Sequence, residues 1–104
     1  MERRDPAVVR LTGEHDIASR SDVTAALQAA GDNPRVIVDL SGVDYLDSTT
    51  IEEIARAIRR VRALGGKLVL VAPNERLVRV LSIAGLTGGA RIVDTLADAR
   101  AIFA

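Results

Sequence analysis

The chain has 104 residues, enough for one domain but too few for two that fold independently, so residues 1–104 are expected to form a single domain. Its 14 basic and 14 acidic residues balance, which removes any net electrostatic attraction to nucleic acid or membrane. There is no cysteine, which excludes disulfides and thiolate chemistry, and no apolar run nears the roughly 20 residues that cross a bilayer. These features predict a soluble, cytoplasmic domain.

The first part of the chain is predicted to form a strand, a helix and a second strand. The segment 7–11, apolar except for Arg10, predicts the first strand. Ser19 stands where it can cap a helix with apolar positions at helical spacing, namely Val23, Ala26, Leu27 and Ala30. After a turn-forming stretch at 31–34, the run 36–40 is almost wholly apolar and rich in β-branched residues. Such a run predicts a strand that is covered on both faces.

The strongest helical pattern extends from Ser48 to Leu64. Its apolar side chains follow the 3, 4 spacing of one buried stripe, formed by Ile51, Ile54, Ala55, Ile58 and Val61. Glutamates in the first turn and arginines further along suit the helix dipole. Gly65 and Gly66 are expected to end this helix.

The last third of the chain continues the alternation of strands and helices. An apolar run at 67–71 predicts a buried strand, and Pro73 and Asn74 lead into a shorter helix that ends at Gly85. The core stripe of that helix is predicted to be Leu77, Val80, Leu81 and Ala84. Residues 91–93 predict a short strand, and Thr95 begins a last helix.

Strands that are separated by helices cannot be joined as hairpins, so most neighbouring strands should be parallel and connected by right-handed crossovers. We therefore expect an α/β domain. Its sheet should have about four strands, mostly parallel or in a mixed arrangement, and about four helices should pack on it.

Four polar residues, Asp47, Ser48, Thr49 and Thr50, connect the second predicted strand to the longest helix. Ligands and partners of open α/β sheets usually bind beyond the carboxyl ends of the strands. The first turn of a helix also has free backbone N–H groups, which together with the dipole favour a negative group. This segment is therefore the expected functional site.

Helix capping is the alternative explanation for the same hydroxyl groups. Thr49 and Glu52 fit a capping box, and Thr50 and Glu53 fit one that is shifted by one residue. The segment offers more capping side chains than one helix uses, which favours an additional role for some of them.

Five short motifs recur in the order and spacing of a known family. They are Gly13-Glu14-His15-Asp16-Ile17, Asp39-Leu40-Ser41-Gly42-Val43, Asp47-Ser48-Thr49, Gly85-Leu86 and Thr95-Leu96-Ala97-Asp98-Ala99. Together they resemble the STAS domain and, within that family, the bacterial anti-sigma factor antagonists. The resemblance covers nearly the whole chain and implies the STAS fold.

The resemblance also implies a mechanism called partner switching. The antagonist binds an anti-sigma factor that is a serine/threonine kinase, the kinase phosphorylates the antagonist, and a phosphatase restores the binding form. The phosphoacceptor implied here is Thr49, with Ser48 as the second candidate, and the implied partner-binding residues are Asp16, Asp47, Ser48, Thr49 and Thr50. Thr50 stands where the family commonly has glycine, which adds a third hydroxyl. Inside an interface a phosphate of about −1.5 to −2 charge would repel the nearby carboxylates.

Two other functions remain open at this point: a scaffold module of a larger signalling assembly that is not phosphorylated, and a sensor of nucleotides or lipids. We expect no enzymatic activity, because no nucleophile, base and orienting group emerge together. His15 is the only histidine, and Asp44 with Asp47 provides too few ligands for a metal site. No cofactor, nucleic acid or membrane partner is expected, and the chain should be a monomer or a weak dimer.

Overall fold

The computed structural model of the protein describes residues 5–12 and 24–104. These residues form a four-stranded sheet in the order β1-β2-β3-β4, and every strand is parallel to its neighbour. The strands are β1 (Ala7–Thr12), β2 (Arg35–Gly42), β3 (Lys67–Val71) and β4 (Arg91–Val93). The helices are α1 (residues 24–28), α2 (Ser48–Ala63), α3 (Glu75–Ile83) and α4 (Leu96–Ile102), and a 3-10 turn spans Leu86–Gly88. The predicted α/β class is confirmed, and the sheet is parallel rather than mixed.

The predicted helix cap Ser19, the apolar Val23 and the motif at 13–17 lie outside the described residues. The remaining strand and helix predictions agree with the structure to within two residues at each end. None of the described helices has the length and apolar character needed to span a bilayer.

The core consists of two layers, one on each face of the sheet. Val36, Val38 and Leu40 of β2 point into the larger layer, which α2 and α3 cover. Ile37 points to the opposite face, where it packs in a cluster with Phe103 of α4. Each of these four apolar side chains of β2 is at most 1% exposed, which agrees with the prediction of a strand covered on both faces.

The buried stripe of α2 is rotated slightly from the predicted one. Ile54, Ile58 and Val61 are buried as expected. Ile51 and Ala55 are only half-buried, and Ala57 is buried in the core instead. The apolar pattern alone did not separate the two alanines, because both flank the stripe and neither is large enough to fix its angle.

The core stripe of α3 is narrower than predicted. Leu77 and Leu81 are buried, whereas Val80 is half-buried and Ala84 is exposed. Ala84 is the residue that follows the last helical turn, where the chain turns away at Gly85 with φ +82°. The structure therefore corrects the assignment of Ala84 to the core.

The amino ends of β2 and β3 meet at a very close backbone contact. The Lys67 N–H donates to the Pro34 carbonyl at 2.7 Å. A Cβ on Gly66 would lie 1.9 Å from that same oxygen, so only glycine fits at this position. The glycine that ends α2 thus also allows β3 to start in register with β2.

Candidate functional site

The candidate site lies at the carboxyl edge of the sheet, between β2 and α2. The connecting loop is fixed from below by Val43 and Leu46, which are both buried in the larger core layer. The Val43 N–H donates to the Leu40 carbonyl at 3.0 Å, which turns the chain sharply after the strand. Asp44 and Tyr45 lie between these two apolar anchors and are exposed. The loop therefore holds the start of α2 at a defined position above the strand ends.

Asp47 is the N-cap of α2. Its Oδ1 accepts a hydrogen bond from the Thr50 N–H at 2.7 Å, and its carbonyl accepts from the Ile51 N–H at 3.0 Å. The helix begins at Ser48, as the sequence predicted. The capping boxes predicted from Thr49 and Thr50 are wrong, because the Asp47 carboxylate, two and three residues earlier, already caps the first turn.

This capping arrangement leaves the three hydroxyl residues in different environments. Ser48 is exposed, Thr49 is half-buried, and Thr50 is only 4% exposed. The backbone N–H groups of Ser48 and Thr49 meet no acceptor within residues 5–12 and 24–104. A negative group on the Ser48 or Thr49 side chain would therefore lie beside free N–H donors at the positive end of the helix. The buried Thr50 hydroxyl has no such access.

A buried carboxylate lies near the carboxyl end of β2, the strand that leads into the site. Asp39 is 4% exposed, and its Oδ1 accepts from the Ser41 N–H at 2.9 Å and from the Ser41 hydroxyl at 2.6 Å. Its Oδ2 lies 3.4 Å from Nε of Arg10 on β1. Burial alone would raise the pKa of Asp39, but the hydrogen bonds from Ser41 and the charge of Arg10 hold that pKa below its ordinary value of 3.8. The ionised carboxylate thus connects the carboxyl ends of two strands.

The structure brings together four of the five partner-binding residues that the resemblance implied. Asp47, Ser48, Thr49 and Thr50 form one helix start, although the Thr50 side chain offers a partner almost no surface. Asp16 lies outside the described residues. Tyr45 was not proposed from the sequence, yet it is 56% exposed beside this helix start. An aromatic residue in a polar loop was the one signal that could have identified it.

No cluster of three or more acidic, histidine or cysteine side chains that could hold a metal ion occurs within the described ranges. The site consists of hydroxyl groups, one capping carboxylate and free backbone donors. Exposed hydroxyl groups beside backbone N–H donors at a helix start form a polar surface that favours a negative group. The fold and the site together define a parallel α/β domain whose longest helix begins with hydroxyl residues that lie outside the capping interaction.

Comparison with known proteins identifies the family. The family model described as the STAS domain matches residues 1–99. The chain belongs to the STAS domain family. A proposed anti-sigma factor antagonist of Thermotoga neapolitana is 38% identical over 65 residues, which are 62% of this chain and 58% of that protein. The anti-sigma F factor antagonist of Lysinibacillus sphaericus is 28% identical over 89 residues, 83% of this chain and 76% of that protein. The match thus spans well under two thirds of the Thermotoga protein.

Solved structures agree with this family. A crystal structure of a proposed anti-sigma factor antagonist from Thermotoga maritima superimposes with a TM-score of 0.77 and 28% identity, covering 92% of this chain and 86% of that one. The phosphorylated form of the Bacillus cell fate determinant SpoIIAA gives a TM-score of 0.74 at 22% identity, covering 100% of this chain and 96% of that one. At this identity, the second likeness supports the fold alone.

Proposed function

We propose that this protein is an anti-sigma factor antagonist that works by partner switching. It binds an anti-sigma factor with serine/threonine kinase activity through the start of α2, and phosphorylation of Thr49 ends the binding. The proposal is supported by the relatives that are named as antagonists of anti-sigma factors. The single observation that carries it is the capping of α2 by Asp47, which leaves the hydroxyls of Ser48 and Thr49 unused by the helix.

Thr49 is the preferred phosphoacceptor because the family resemblance places it at the second hydroxyl of the Asp47-Ser48-Thr49 motif, and its position on α2 is compatible with that role. It is half-buried at the second position of the helix, where free N–H groups and the dipole can stabilise a phosphate in the unbound protein. Ser48 is more exposed and remains the second candidate. Thr50 would have to leave the core before a kinase could reach its hydroxyl, since it is 4% exposed.

The phosphate would act on the complex rather than on the fold. A phosphothreonine adds about −1.5 to −2 charge at neutral pH. In the free protein the helix start and solvent accommodate that charge, whereas in a packed interface it would be desolvated and would lie near the Asp47 carboxylate. The expected result is loss of the partner without unfolding of the antagonist.

The test uses the anti-sigma factor that copurifies with this chain from its native cell. We expect Thr49→Glu to weaken that complex by at least about tenfold, which corresponds to about 1.4 kcal/mol, while Thr49→Val retains binding but cannot be phosphorylated. Thr50→Val is the matched control, because its buried hydroxyl should contribute to neither step. Equal binding by wild type and Thr49→Glu, measured by surface plasmon resonance, would contradict the proposed switch.

A further inference from the structure

A groove far from the helix start lies between the second half of α2 and the chain at 85–91. It consists of two adjoining cavities of about 240 and 400 Å³ that share Ile58, Arg62, Gly88 and Gly89. The larger cavity falls within the range of roughly 300–1,000 Å³ that is usual for small-ligand pockets. The two glycines leave this wall of the groove without side chains, so backbone is exposed along it.

The side chains that line this groove carry charge of one sign. Arg59 and Arg62 line it from α2, while Lys67 and Arg91 line it from the starts of β3 and β4. No aspartate or glutamate is among the lining residues of either cavity. Over the described part of the chain, none of the four cations forms an ion pair with a carboxylate. Four cations around a concave surface raise the local concentration of anions even though the whole chain is neutral.

The guanidinium group of Arg62 lies against the wall of the groove at Gly89, while the residue as a whole is exposed. A Cβ on Gly89 would lie 2.8 Å from Nη2 of Arg62 and 2.8 Å from Cγ2 of Ile58. The guanidinium group therefore packs directly on the glycine backbone, in space that a side chain would fill. A guanidinium group positioned in this way loses less entropy when it binds an anion than one that extends freely into solvent.

We propose that this groove binds a small anion of the diphosphate class. Guanidinium groups match phosphate oxygens with paired hydrogen bonds, and Arg59 and Arg62 lie one helical turn apart on the same face. Four cations exceed what a single phosphate needs, which favours a ligand with two linked phosphates. No aromatic side chain lines the groove, so recognition is through the phosphates and not through a stacked base.

This site is separate from the proposed phosphorylation site. From Thr49 to Arg62 the rise of α2 is about 20 Å, and the groove lies at the amino edge of the sheet while the helix start lies at the carboxyl edge. The proposal therefore does not depend on the proposed antagonist function. A ligand in the groove and a partner at the helix start could be bound at the same time.

The test is isothermal titration calorimetry of the full chain with inorganic pyrophosphate at low salt. We expect the wild type to bind pyrophosphate saturably at one site. The affinity should be at least about tenfold lower for Arg62→Ala and within about twofold of wild type for Arg56→Ala. Arg56 is a matched control because it is an exposed arginine of the same helix that does not line the groove. Absence of saturable binding, or equal weakening by both substitutions, would overturn the proposal.

Two further measurements identify the source of the phosphates and the position of the ligand. Adenosine diphosphate should bind about as tightly as pyrophosphate, and adenosine should not bind; binding of adenosine would overturn recognition through phosphates. In NMR spectra, pyrophosphate should shift the amide signals of Gly88 and Gly89. Shifts confined to Ser48 and Thr49 would mean that the anion binds at the helix start, and would overturn the groove as its site.

Discussion

Substitution of Asp47 separates the role of its hydrogen bond from that of its charge. In Asp47→Ala the Thr50 N–H loses the acceptor that it meets at 2.7 Å, at the start of a 16-residue helix. Loss of an N-cap costs about 0.5–2 kcal/mol, typically near 1. For a domain of this size about 1 kcal/mol lowers Tm by roughly 4–8 °C. In Asp47→Asn an oxygen acceptor remains, while the favourable interaction of the charge with the dipole, about 0.3–1 kcal/mol, is lost.

The assay is urea unfolding followed by circular dichroism, with thermal unfolding as a second measure. The expected order of stability is wild type, then Asp47→Asn, then Asp47→Ala. Asp44→Ala is the matched control, because Asp44 is an exposed carboxylate three residues away with no hydrogen bond to the described residues, and its loss should cost less than about 0.5 kcal/mol. If Asp47→Ala and Asp44→Ala had the same stability, the assignment of Asp47 as the cap of α2 would be refuted.

Two other predictions concern stability. Because the pKa of Asp39 is lowered from 3.8 in the folded protein, its ionised form stabilises the fold above that pH, and this stabilisation disappears as the pH falls through the lowered value. In urea unfolding, the difference between wild type and Asp39→Asn should shrink below about pH 4; a constant difference would contradict this. Gly66→Ala should lower the free energy of unfolding by about 1–3 kcal/mol, because the added Cβ would lie 1.9 Å from the Pro34 carbonyl oxygen. Gly88→Ala, with open space around its Cβ, should change the free energy of unfolding by less than about 0.5 kcal/mol, and equal losses would refute the contact.

The strands and helices were predictable because their signals are local. Short β-branched runs predicted β2 and β3, and the 3, 4 spacing of apolar residues predicted that α2 begins at Ser48. The alternation of strands and helices then allowed few topologies other than a parallel sheet. The breadth of the α3 stripe was less predictable, because Ala84 is apolar but lies just beyond the last turn of its helix.

One detail of the site was local in sequence and another depends on a contact between distant segments. Several side chains near the start of α2 could have capped it, and the structure shows that Asp47, directly before Ser48, is the one that does. Asp39 interrupts an apolar run, but its ion-pair partner Arg10 lies on another strand. Local sequence patterns contain no information about the ion pair, whereas an aspartate directly before the predicted helix start is a local capping signal.

The central claim is that the start of α2 is the regulated binding surface and that Thr49 is its phosphoacceptor. The most direct measurement incubates the protein with the copurified anti-sigma factor and ATP, and then locates the phosphate by fragment-ion mass spectrometry. We predict one added phosphate on Thr49, accompanied by loss of the complex in size-exclusion chromatography. A phosphate on another residue, or a complex that persists after full phosphorylation of Thr49, would contradict the claim.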